Sequence, residues 1–356
     1  MTLALTYRPR RFSDLVDQPA PRAILARMVL EGELPPTLIF AGVRGTGKTS
    51  VARILARAIN CTGRGESPDP CLACTNCLAV EAEASPFLVE VDSASHGSVE
   101  AIRDLVSQAL YSGGGYWRVF VLDEVHSVSQ AGFQALLKTL EEPPPRTSFC
   151  LVTTEADRIP ETIMARAMFF RFQKISLAGL TERLSFVAGA EEIPVTGDAL
   201  AWIARFANGG MRDALMTLDQ VSRLGAEVTV PLLEQVFGYA DPTPLLEAML
   251  SGNAAKAILV SEELVGRFGN VASLIDRMVV VLRDDVVSGS SRFGLSMAEH
   301  MDLLRSVWEF RIRIRGLRVD DRAALAGMVA QLARRVGEVP VEAPANLDAV
   351  FGVRSS

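Results

Sequence analysis

The stretch from Gly42 to Thr49, GVRGTGKT, has the residue types and the spacing that bind phosphate groups. It matches the pattern G-x-x-x-x-G-K-[ST] and follows an apolar run, 37–41, that favours a buried strand. Apolar residues recur at helical spacing directly after it, through Ile59. A strand, a glycine-rich turn and a helix in this order point backbone N–H groups at a single anion.

The polar side chains of this loop suit a nucleoside triphosphate. Lys48 would place a positive charge on the β and γ phosphates, and the Thr49 hydroxyl would join the shell of a Mg²⁺ ion. The alternative is a glycine-rich loop that arose by chance, which the flanking strand and helix argue against. The predicted loop residues are Gly42, Gly45, Thr46, Gly47, Lys48, Thr49 and Ser50.

Two acids close another candidate strand. Val119 to Leu122 are apolar, and Asp123 and Glu124 follow them. In an open α/β sheet the carboxyl ends of the strands face the ligand crevice, so both acids are expected beside the phosphate loop. Asp123 is predicted to hold Mg²⁺, directly or through water, and Glu124 to polarise the attacking water as a general base. A strand that simply ends in solvated acids is the alternative.

Polar residues also follow the strand predicted for 148–153. A polar residue in the run TTE at 153–155 is suited to orient the attacking water, because it stands at a strand tip. His126 lies close to two acids along the chain, and we interpret it as a hydrogen-bonded structural residue without a catalytic role.

Four cysteines after the predicted first helix have the spacing of metal ligands. Cys71, Cys74 and Cys77 form two overlapping C-x-x-C turns, and Cys61 stands at the end of the helix. Four thiolates suit a closed tetrahedral Zn²⁺ site of the structural kind. An iron–sulfur cluster and unliganded cysteines are the alternatives, although no cysteine occupies the position where a cluster usually has its next ligand. Cys150 lies in an apolar run and is interpreted as a small buried hydrophobic residue.

Residues 7–18 precede the loop, and Pro9 and Pro19 interrupt any long helix there. The stretch places an aromatic ring, aliphatic side chains and basic residues close together along the chain. One interpretation is an adenine pocket that packs the base against the aliphatic side chains. The other is an arm that covers the core, and the residues leave both open.

These groups need a scaffold of alternating strands and helices. At least five strand candidates alternate with helical patterns up to about residue 176, which predicts an α/β fold with a mostly parallel sheet and helices on both faces. From residue 177 the pattern is helical, and the clearest linker in the second half is Asp-Pro-Thr-Pro at 241–244. Helical runs are predicted beyond it near 245–250, 254–266, 271–287, 297–315 and 320–336.

The composition is that of an ordinary globular protein with room for two or three domains. The 356 residues are 49% hydrophobic and 22% charged, with a formal net charge of −6. This charge argues against a protein that coats nucleic acid over its whole surface, although it allows a local basic patch. We see no signal peptide and no apolar run of about 18 residues. We therefore expect a cytoplasmic protein with thiolate cysteines and no membrane partner.

With these residues placed, the chain resembles the AAA+ ATPases and, among them, the tau/gamma subunits of the bacterial DNA polymerase III clamp loader. The resemblance covers roughly residues 1–240, and beyond them it rests on helical character and length. The cysteine insertion and the run LEEPP form its most discriminating pair. The matching segments are YRP at 7–9, GVRGTGKTS at 42–50, the cysteine insertion, LDEVH at 122–126, LLKTLEEPP at 136–144, LVTTEADRIPETI at 151–163 and GGMRDAL at 209–215.

The resemblance implies a fold in three parts. Residues 1–176 would form an AAA+ core with a RecA-like parallel sheet and a zinc module at about 61–77. Residues 177–238 would form an all-α lid domain, and residues 239–356 an all-α collar domain for oligomerisation.

The resemblance also implies roles for single residues in the hydrolysis of ATP. Lys48 and Thr49 would contact phosphate and Mg²⁺, and Asp123 and Glu124 would form the Walker B pair. Thr154 would be the sensor on the fourth strand.

Other implied roles fall outside these motifs. Arg212 would be the lid-domain sensor that reaches the γ-phosphate. Arg166 falls where the family has the arginine of a Ser-Arg-Cys motif, a finger that enters the neighbouring subunit's site, but here alanines flank it. Arg8, Pro9 and Val16 would contact the nucleotide, since the family's Val-Gly-Gln near the adenine corresponds to Val-Asp-Gln at 16–18.

The implied function is that of the motor subunit of a replicative clamp loader. About five subunits, including delta, delta-prime and further tau/gamma copies, would open the sliding clamp with ATP bound and recognise primer–template DNA. Hydrolysis would then release the clamp at the nucleoid. Two alternatives remain: a non-hydrolysing structural subunit like delta-prime, which the intact Gly47-Lys48-Thr49 argues against, and a different AAA+ motor acting on DNA or protein.

Overall fold

A computed structural model describes residues 2–110, 114–237, 241–268, 271–288, 293–314 and 321–337. The chain folds as two compact units, Met1–Val230 and Pro231–Ser356. The first unit contains both the sheet and the helices that directly follow it. The predicted boundary at 238 lies outside the described residues, and the division into three parts stays a prediction.

A five-stranded parallel sheet forms the centre of the first unit, in the order β2-β3-β4-β1-β5. The strands are β1 Thr37–Gly42, β2 Leu88–Asp92, β3 Arg118–Asp123, β4 Thr147–Thr153 and β5 Met168–Phe172. The three central strands are almost wholly buried, as expected when helices cover both faces of a parallel sheet. This architecture confirms the predicted α/β class.

Helices pack on both faces because side chains alternate along each strand. Leu38 and Phe40 of β1 belong to one buried cluster, and Ile39 and Ala41 belong to the other. The helices of this unit are α1 Leu3–Thr6, α2 Pro19–Glu31, α3 Lys48–Ile59, α4 Thr75–Glu81, α5 Ser93–His96, α6 Val99–Ala109, α7 Gln130–Glu141, α8 Glu161–Met164, α9 Leu177–Ala190, α10 Gly197–Phe206 and α11 Met211–Ser222. Helices α2 and α3 cover the first face, and α6, α7 and α8 the second.

The register of the strands determines which loops meet. Ala41 of β1 pairs with Thr153 of β4, and β3 lies on the other side of β4. The chain therefore leaves β1, β3 and β4 at one edge of the sheet. The phosphate loop, the two acids and the polar run after β4 all emerge there.

Helices α9 to α11 follow the sheet within the same unit. Ser176 and Thr196 cap the first two of them, since their side chains accept the backbone N–H groups of Gly179 and Ala199. Loss of a side-chain cap such as that of Ser176 or Thr196 typically costs about 1 kcal/mol. A short 3-10 helix, Phe12–Asp14, lies in the segment before α2.

The second unit is helical in its described part. Its helices are α12 Val230–Phe237, which begins one residue before the unit, α13 Thr243–Leu250, α14 Ala254–Phe268, α15 Val271–Ser288, α16 Met297–Ile314 and α17 Asp321–Gly337. The last five agree within two residues with the helices predicted from periodicity. Leu245, Ile275 and Val329 lie in their common core. Within the described residues, no helix has both the length and the apolar character that a bilayer crossing requires.

Candidate nucleotide-binding site

The phosphate loop joins β1 to α3 through a backbone that only small residues allow. A Cβ on Gly42 would lie 2.2 Å from the carbonyl oxygen of Phe172 in β5. Gly47 has a φ of 98°, in the left-handed region that favours glycine. The Thr46 hydroxyl donates to the carbonyl oxygen of Val43 at 2.8 Å and closes the loop. Helix α3 begins directly afterwards, so its free N–H groups face the inside of the loop.

Lys48 points into this loop. Its Nζ donates to the carbonyl oxygens of Gly42 and Val43 at 2.8 and 2.9 Å, and the residue is only 6% exposed. Burial lowers the pKa of Lys48, while the charges of Glu124 and Asp123 act in the opposite direction. A triphosphate bound in the loop would add negative charge and favour the protonated ammonium.

The structure brings Thr49 and Asp123 together. The Thr49 hydroxyl donates to Asp123 Oδ2 at 2.9 Å, and the backbone N–H of Glu124 donates to Asp123 Oδ1 at 2.9 Å. Both carboxylate oxygens are therefore held at the end of β3. A hydroxyl and a carboxylate in contact are the oxygen ligands that Mg²⁺ prefers, and this donor set fits such an ion.

Glu124 turns away from the strand and contacts the tip of β4. Its φ of 48° is left-handed, which is unusual for a residue with a Cβ and is common at functional sites. The Thr154 hydroxyl donates to Glu124 Oε2 at 3.1 Å. The predicted base and the predicted sensor therefore lie within one hydrogen bond of each other.

His126 connects the same strand ends, a contact that its sequence position did not predict. Its Nδ1 lies 3.0 Å from Thr153 Oγ1 and 3.4 Å from Glu124 Oε2. Its Nε2 lies 3.4 Å from Glu155 Oε1. These contacts fit the interpretation of His126 as a hydrogen-bonded residue, and they place it against the predicted base.

Two arginines flank the phosphate loop. Arg8 Nε donates to Ser50 Oγ at 3.1 Å. Burial lowers the pKa of Arg8 and the positive charge of Arg53 lowers it further, while the charges of Glu90 and Glu83 act in the opposite direction. The beginning of α11 contacts the loop directly, because the Met211 N–H donates to the Gly45 carbonyl oxygen at 3.0 Å. The residues before α2 and the beginning of α11 therefore both contact the segment that carries the phosphate loop.

The segment of residues 7–18 that precedes α2, called the arm here, bends sharply beside the phosphate loop. Asp17 and Gln18 both have left-handed φ values, 57° and 56°. The Gln18 side-chain amide donates to the carbonyl oxygen of Gln173 at 2.6 Å and accepts its N–H at 3.0 Å. Val16 and Pro9, predicted beside the adenine, are both half-buried. The Gln18–Gln173 pair was not predicted, because 155 positions separate the two residues and no local pattern relates them.

Arg166 lies away from this chain's own loop. It stands two residues before β5, whose first residue pairs with Leu38, whereas the loop begins at the far end of β1. The separation along the strand direction is about 20 Å. The guanidinium contacts Glu141 Oε1 at 2.8 Å and donates to the Thr162 carbonyl oxygen at 2.7 Å. In this chain the guanidinium therefore contacts α7 and α8, at the end of the sheet opposite the phosphate loop.

The four predicted metal ligands form one cluster. The sulfurs of Cys61, Cys71, Cys74 and Cys77 all lie within 4.8 Å of one another. Three of the Sγ–Sγ distances are 3.7 to 3.9 Å. Tetrahedral Zn–S bonds of about 2.3 Å require sulfurs about 3.8 Å apart, so the cluster fits a single Zn²⁺ ion.

Hydrogen bonds within the cluster lower the pKa of two of the four thiols, Cys71 and Cys74, whereas burial raises the pKa of Cys61 and of Cys77. The backbone N–H of Cys71 donates to Cys61 Sγ, and that of Cys74 donates to Cys71 Sγ, both at 3.2 Å. Burial raises the pKa of Cys74, but hydrogen bonds from Cys77 and Thr62 outweigh it and lower the pKa to about 5. A thiolate is the form that binds metal.

We expect the purified chain to contain about one zinc ion, because four thiolates at this spacing leave no ligand position for water. Elemental analysis would measure the metal content. Cys74→Ser should lower it, and Cys150→Ala should not, because that thiol lies in the sheet core outside the cluster. Iron, or no metal, in the unmodified chain would contradict the zinc assignment.

The fold and the site define a class of protein. A RuvB Holliday-junction branch-migration motor from Thermotoga maritima superposes with a TM-score of 0.51 at 15% identity, over 74% of this chain and 85% of the motor. At that identity the likeness shows the fold alone. A parallel sheet with a phosphate loop after β1, acids after β3 and a helical segment at the loop is the AAA+ ATPase fold.

Sequence comparisons narrow the class. A family model described as DNA polymerase III, delta subunit, matches residues 17–176, and one described as DNA polymerase III clamp loader subunit, ATPase lid domain, matches residues 180–227. DNA polymerase III subunit gamma of Buchnera aphidicola (strain APS) is 34% identical, over 74% of each chain. This chain belongs to the tau/gamma family of DNA polymerase III clamp-loader subunits.

Longer relatives match as well. DNA polymerase III subunit tau of Escherichia coli is 35% identical over 79% of this chain, and that of Bacillus subtilis is 34% identical over 78%. The chain spans 44% and 50% of the length of these two relatives.

Proposed function

We propose that this chain is the ATP-driven motor subunit of a replicative clamp loader. The contact between Thr49 Oγ1 and Asp123 Oδ2, at 2.9 Å, supports this most directly. It joins the phosphate loop to the acids of β3 in a chain of the tau/gamma family. A loop alone would support nucleotide binding, whereas the loop with an adjacent metal ligand and a base supports hydrolysis.

The side chains at this edge of the sheet have different roles in the proposed hydrolysis of ATP. Lys48 holds the β and γ oxygens from inside the loop, and Glu124 accepts a proton from the water that attacks the γ-phosphorus. Thr154 orients the Glu124 carboxylate through its 3.1 Å hydrogen bond. Mg²⁺, which Thr49 and Asp123 would hold, neutralises charge on the phosphate oxygens when bound.

Two arginines complete the proposed site from opposite sides. Arg212 at the start of α11 reaches the γ-phosphate of the same chain. Arg166 is proposed to enter the site of a neighbouring subunit, and its distance of about 20 Å from its own loop along the sheet is what such a role requires. Hydrolysis would therefore depend on assembly.

The proposed assembly has about five subunits, in which this chain acts with delta, delta-prime and other tau/gamma copies. Bound ATP holds the subunits in the arrangement that opens the sliding clamp, and hydrolysis relaxes it. Contacts to primer–template DNA in the central chamber would be to the phosphate backbone and weakened by salt. The work would take place in the cytoplasm at the nucleoid.

We further propose a working division of the chain. Residues 1–176 serve as the ATP-binding core, 177–238 as the lid and 239–356 as the collar through which subunits associate. The contact between Met211 and Gly45 supports a lid that senses the phosphate loop.

The decisive experiment is the ATPase rate of the chain with the other loader subunits, with and without primed DNA and a cognate clamp. We expect strong stimulation when both are present. Equal rates in all conditions would contradict a clamp loader, and stimulation by a protein alone would favour a protein remodeller. Movement along DNA without a clamp would favour a translocating motor.

Glu124→Gln should retain ATP binding and lower turnover by about two to four orders of magnitude, because an amide cannot accept the proton of the attacking water. Binding and steady-state hydrolysis would be measured in the assembled loader. Glu100→Gln, an exposed change on α6, is the control and should leave both unchanged. Normal turnover by Glu124→Gln would exclude this residue as the base.

A structural, non-hydrolysing subunit is the second candidate, favoured by the match of residues 17–176 to a model described as a delta subunit. An ATP-binding assay on the isolated chain distinguishes the two. Binding would support the motor proposal, and its absence would support the structural one.

A further inference from the structure

The loop between the first two cysteines contacts the arm that precedes α2. Asp69 Oδ1 accepts the backbone N–H groups of Phe12 at 2.7 Å and Ser13 at 3.3 Å. These are the first residues of a 3-10 helix, whose N–H groups have no partner within the helix. Asp69 therefore caps the arm from a distant part of the chain.

The position of Asp69 depends on the cysteine cluster. Asp69 stands two residues before Cys71, in a loop that begins at Cys61, so both ends of the loop are cluster ligands. Its own N–H donates to Ser67 Oγ at 3.1 Å. Ordering the cluster thus orders the carboxylate that holds the arm.

A second contact joins the cluster to the same arm. Glu81 ends α4, four residues after Cys77, and its two oxygens contact Arg10 Nη2 at 2.9 Å and Arg57 Nη2 at 2.7 Å. Arg57 belongs to α3, is 5% exposed, and also donates to the Arg10 carbonyl oxygen at 3.4 Å. The arm, the cysteine module and the phosphate-loop helix therefore meet at one carboxylate.

The arm contacts the phosphate loop on both sides of these anchors. Before them, Arg8 bonds to Ser50. After them, the buried Leu15 lies 3.9 Å from the place of a Cβ on Gly47. A displaced arm would move the residues proposed to line the base side of the nucleotide, whereas the loop itself is held by β1 and α3.

We propose that Asp69 and Glu81 are positioning residues through which the metal-bound cysteine module sets the affinity for ATP. Neither residue is among those proposed to contact the nucleotide. Each holds the arm that contributes Arg8, Pro9 and Val16, and the module thereby serves as a brace for the base side of the site. The inference rests on the proposed function, since it requires ATP in the loop.

Asp69 is the better of the two for a test. The Arg10–Glu81 pair is half exposed, and such pairs contribute little. Removing Glu81 would also leave Arg57 buried without its carboxylate, which destabilises for reasons unrelated to the nucleotide. Asp69 instead makes charge-assisted bonds to the arm backbone alone, so its removal takes away one anchor of the arm without leaving a buried charge unpaired.

The test measures the Kd of the full chain for ATP and for inorganic tripolyphosphate, which lacks the base. Asp69→Ala should raise the Kd for ATP by about five- to tenfold and change that for tripolyphosphate less than about twofold. Asp69→Asn should restore most of the affinity, because an asparagine oxygen also caps. Glu66→Ala, an exposed change in the same loop, is the matched control and should have no effect.

Removal of zinc provides a second, independent test. Protein from which zinc has been removed by chelation should lose affinity for ATP as Asp69→Ala does. Combining zinc removal with Asp69→Ala should cause no further loss, because both changes interrupt the same series of contacts. The zinc content of Asp69→Ala should equal that of the unmodified chain.

Several results would overturn the inference. They are an unchanged Kd for ATP in Asp69→Ala, an equal loss for tripolyphosphate, failure of Asp69→Asn to restore binding, or additive effects of chelation and Asp69→Ala. An unmodified chain that binds no ATP would contradict the proposed function as well, which separates the two failures.

Discussion

Replacing Arg166 with alanine is expected to leave ATP binding by the isolated chain unchanged and to lower stimulated turnover in the assembled loader by about three orders of magnitude. That loss is at the lower end of what arginine fingers supply in phosphoryl transfer. The guanidinium acts mainly in the transition state, where it neutralises charge that spreads over the transferring phosphoryl group. Binding of ATP in the ground state depends much less on this neutralisation.

The position of Arg166 explains why its effect should appear only in the assembly. It lies near the amino end of β5, while the chain's own loop lies at the carboxyl end of β1. In the single chain its guanidinium is paired with Glu141, but both side chains are exposed, at 39% and 49%. Such a pair contributes about 0 to 1 kcal/mol, so a neighbour's phosphate can replace Glu141 at little cost.

Steady-state ATPase rates with clamp and primed DNA would measure this effect, beside an ATP-binding assay on the isolated variant. Arg103→Ala removes an exposed arginine of α6 and should change neither quantity. Unchanged stimulated turnover in Arg166→Ala would remove the finger assignment. Loss of ATP binding by the isolated variant would place its role within its own chain instead.

Lys48→Ala should weaken ATP binding by about two to three orders of magnitude, which amounts to its loss under ordinary assay conditions. Truncating one partner of a buried charged pair typically costs about 2 to 5 kcal/mol. Lys48 is buried and points into the loop, so no exposed cation can replace it. Its own burial disfavours its charge, and the unliganded chain should therefore lose little stability.

Equilibrium binding of a fluorescent ATP analogue would measure the affinity, and thermal unfolding of the unliganded chain would check the fold. Lys256→Ala, an exposed change on α14, is the control. ATP should raise the Tm of the unmodified chain and of this control, and fail to raise that of Lys48→Ala. Near-normal affinity in Lys48→Ala would mean that the triphosphate binds elsewhere.

Elements governed by local patterns were predictable. The phosphate loop and the acids after β3 were located from residue types alone, because their chemistry restricts consecutive residues. The last five helices were predicted within two residues, because a helix that buries one face repeats apolar residues at a fixed spacing. Neither argument needs any knowledge of distant contacts.

Contacts between distant segments were not predictable in the same way. Asp69 caps Phe12 across 57 positions, and Gln18 pairs with Gln173 across 155. No periodicity relates such residues, since the strand order and the path of the loops decide which of them meet. His126 is similar, because only the adjacency of β3 and β4 places it against Thr153.

The amino-acid sequence by itself determined the chemistry that this chain has available: a phosphate loop, two acids, a thiolate cluster and a family resemblance. The tertiary structure alone decided where those groups stand. It placed Thr49 against Asp123 and put Arg166 at the opposite end of the sheet from the loop. The reason is physical: side-chain chemistry belongs to single residues and short runs, whereas distances between runs follow from strand order and register.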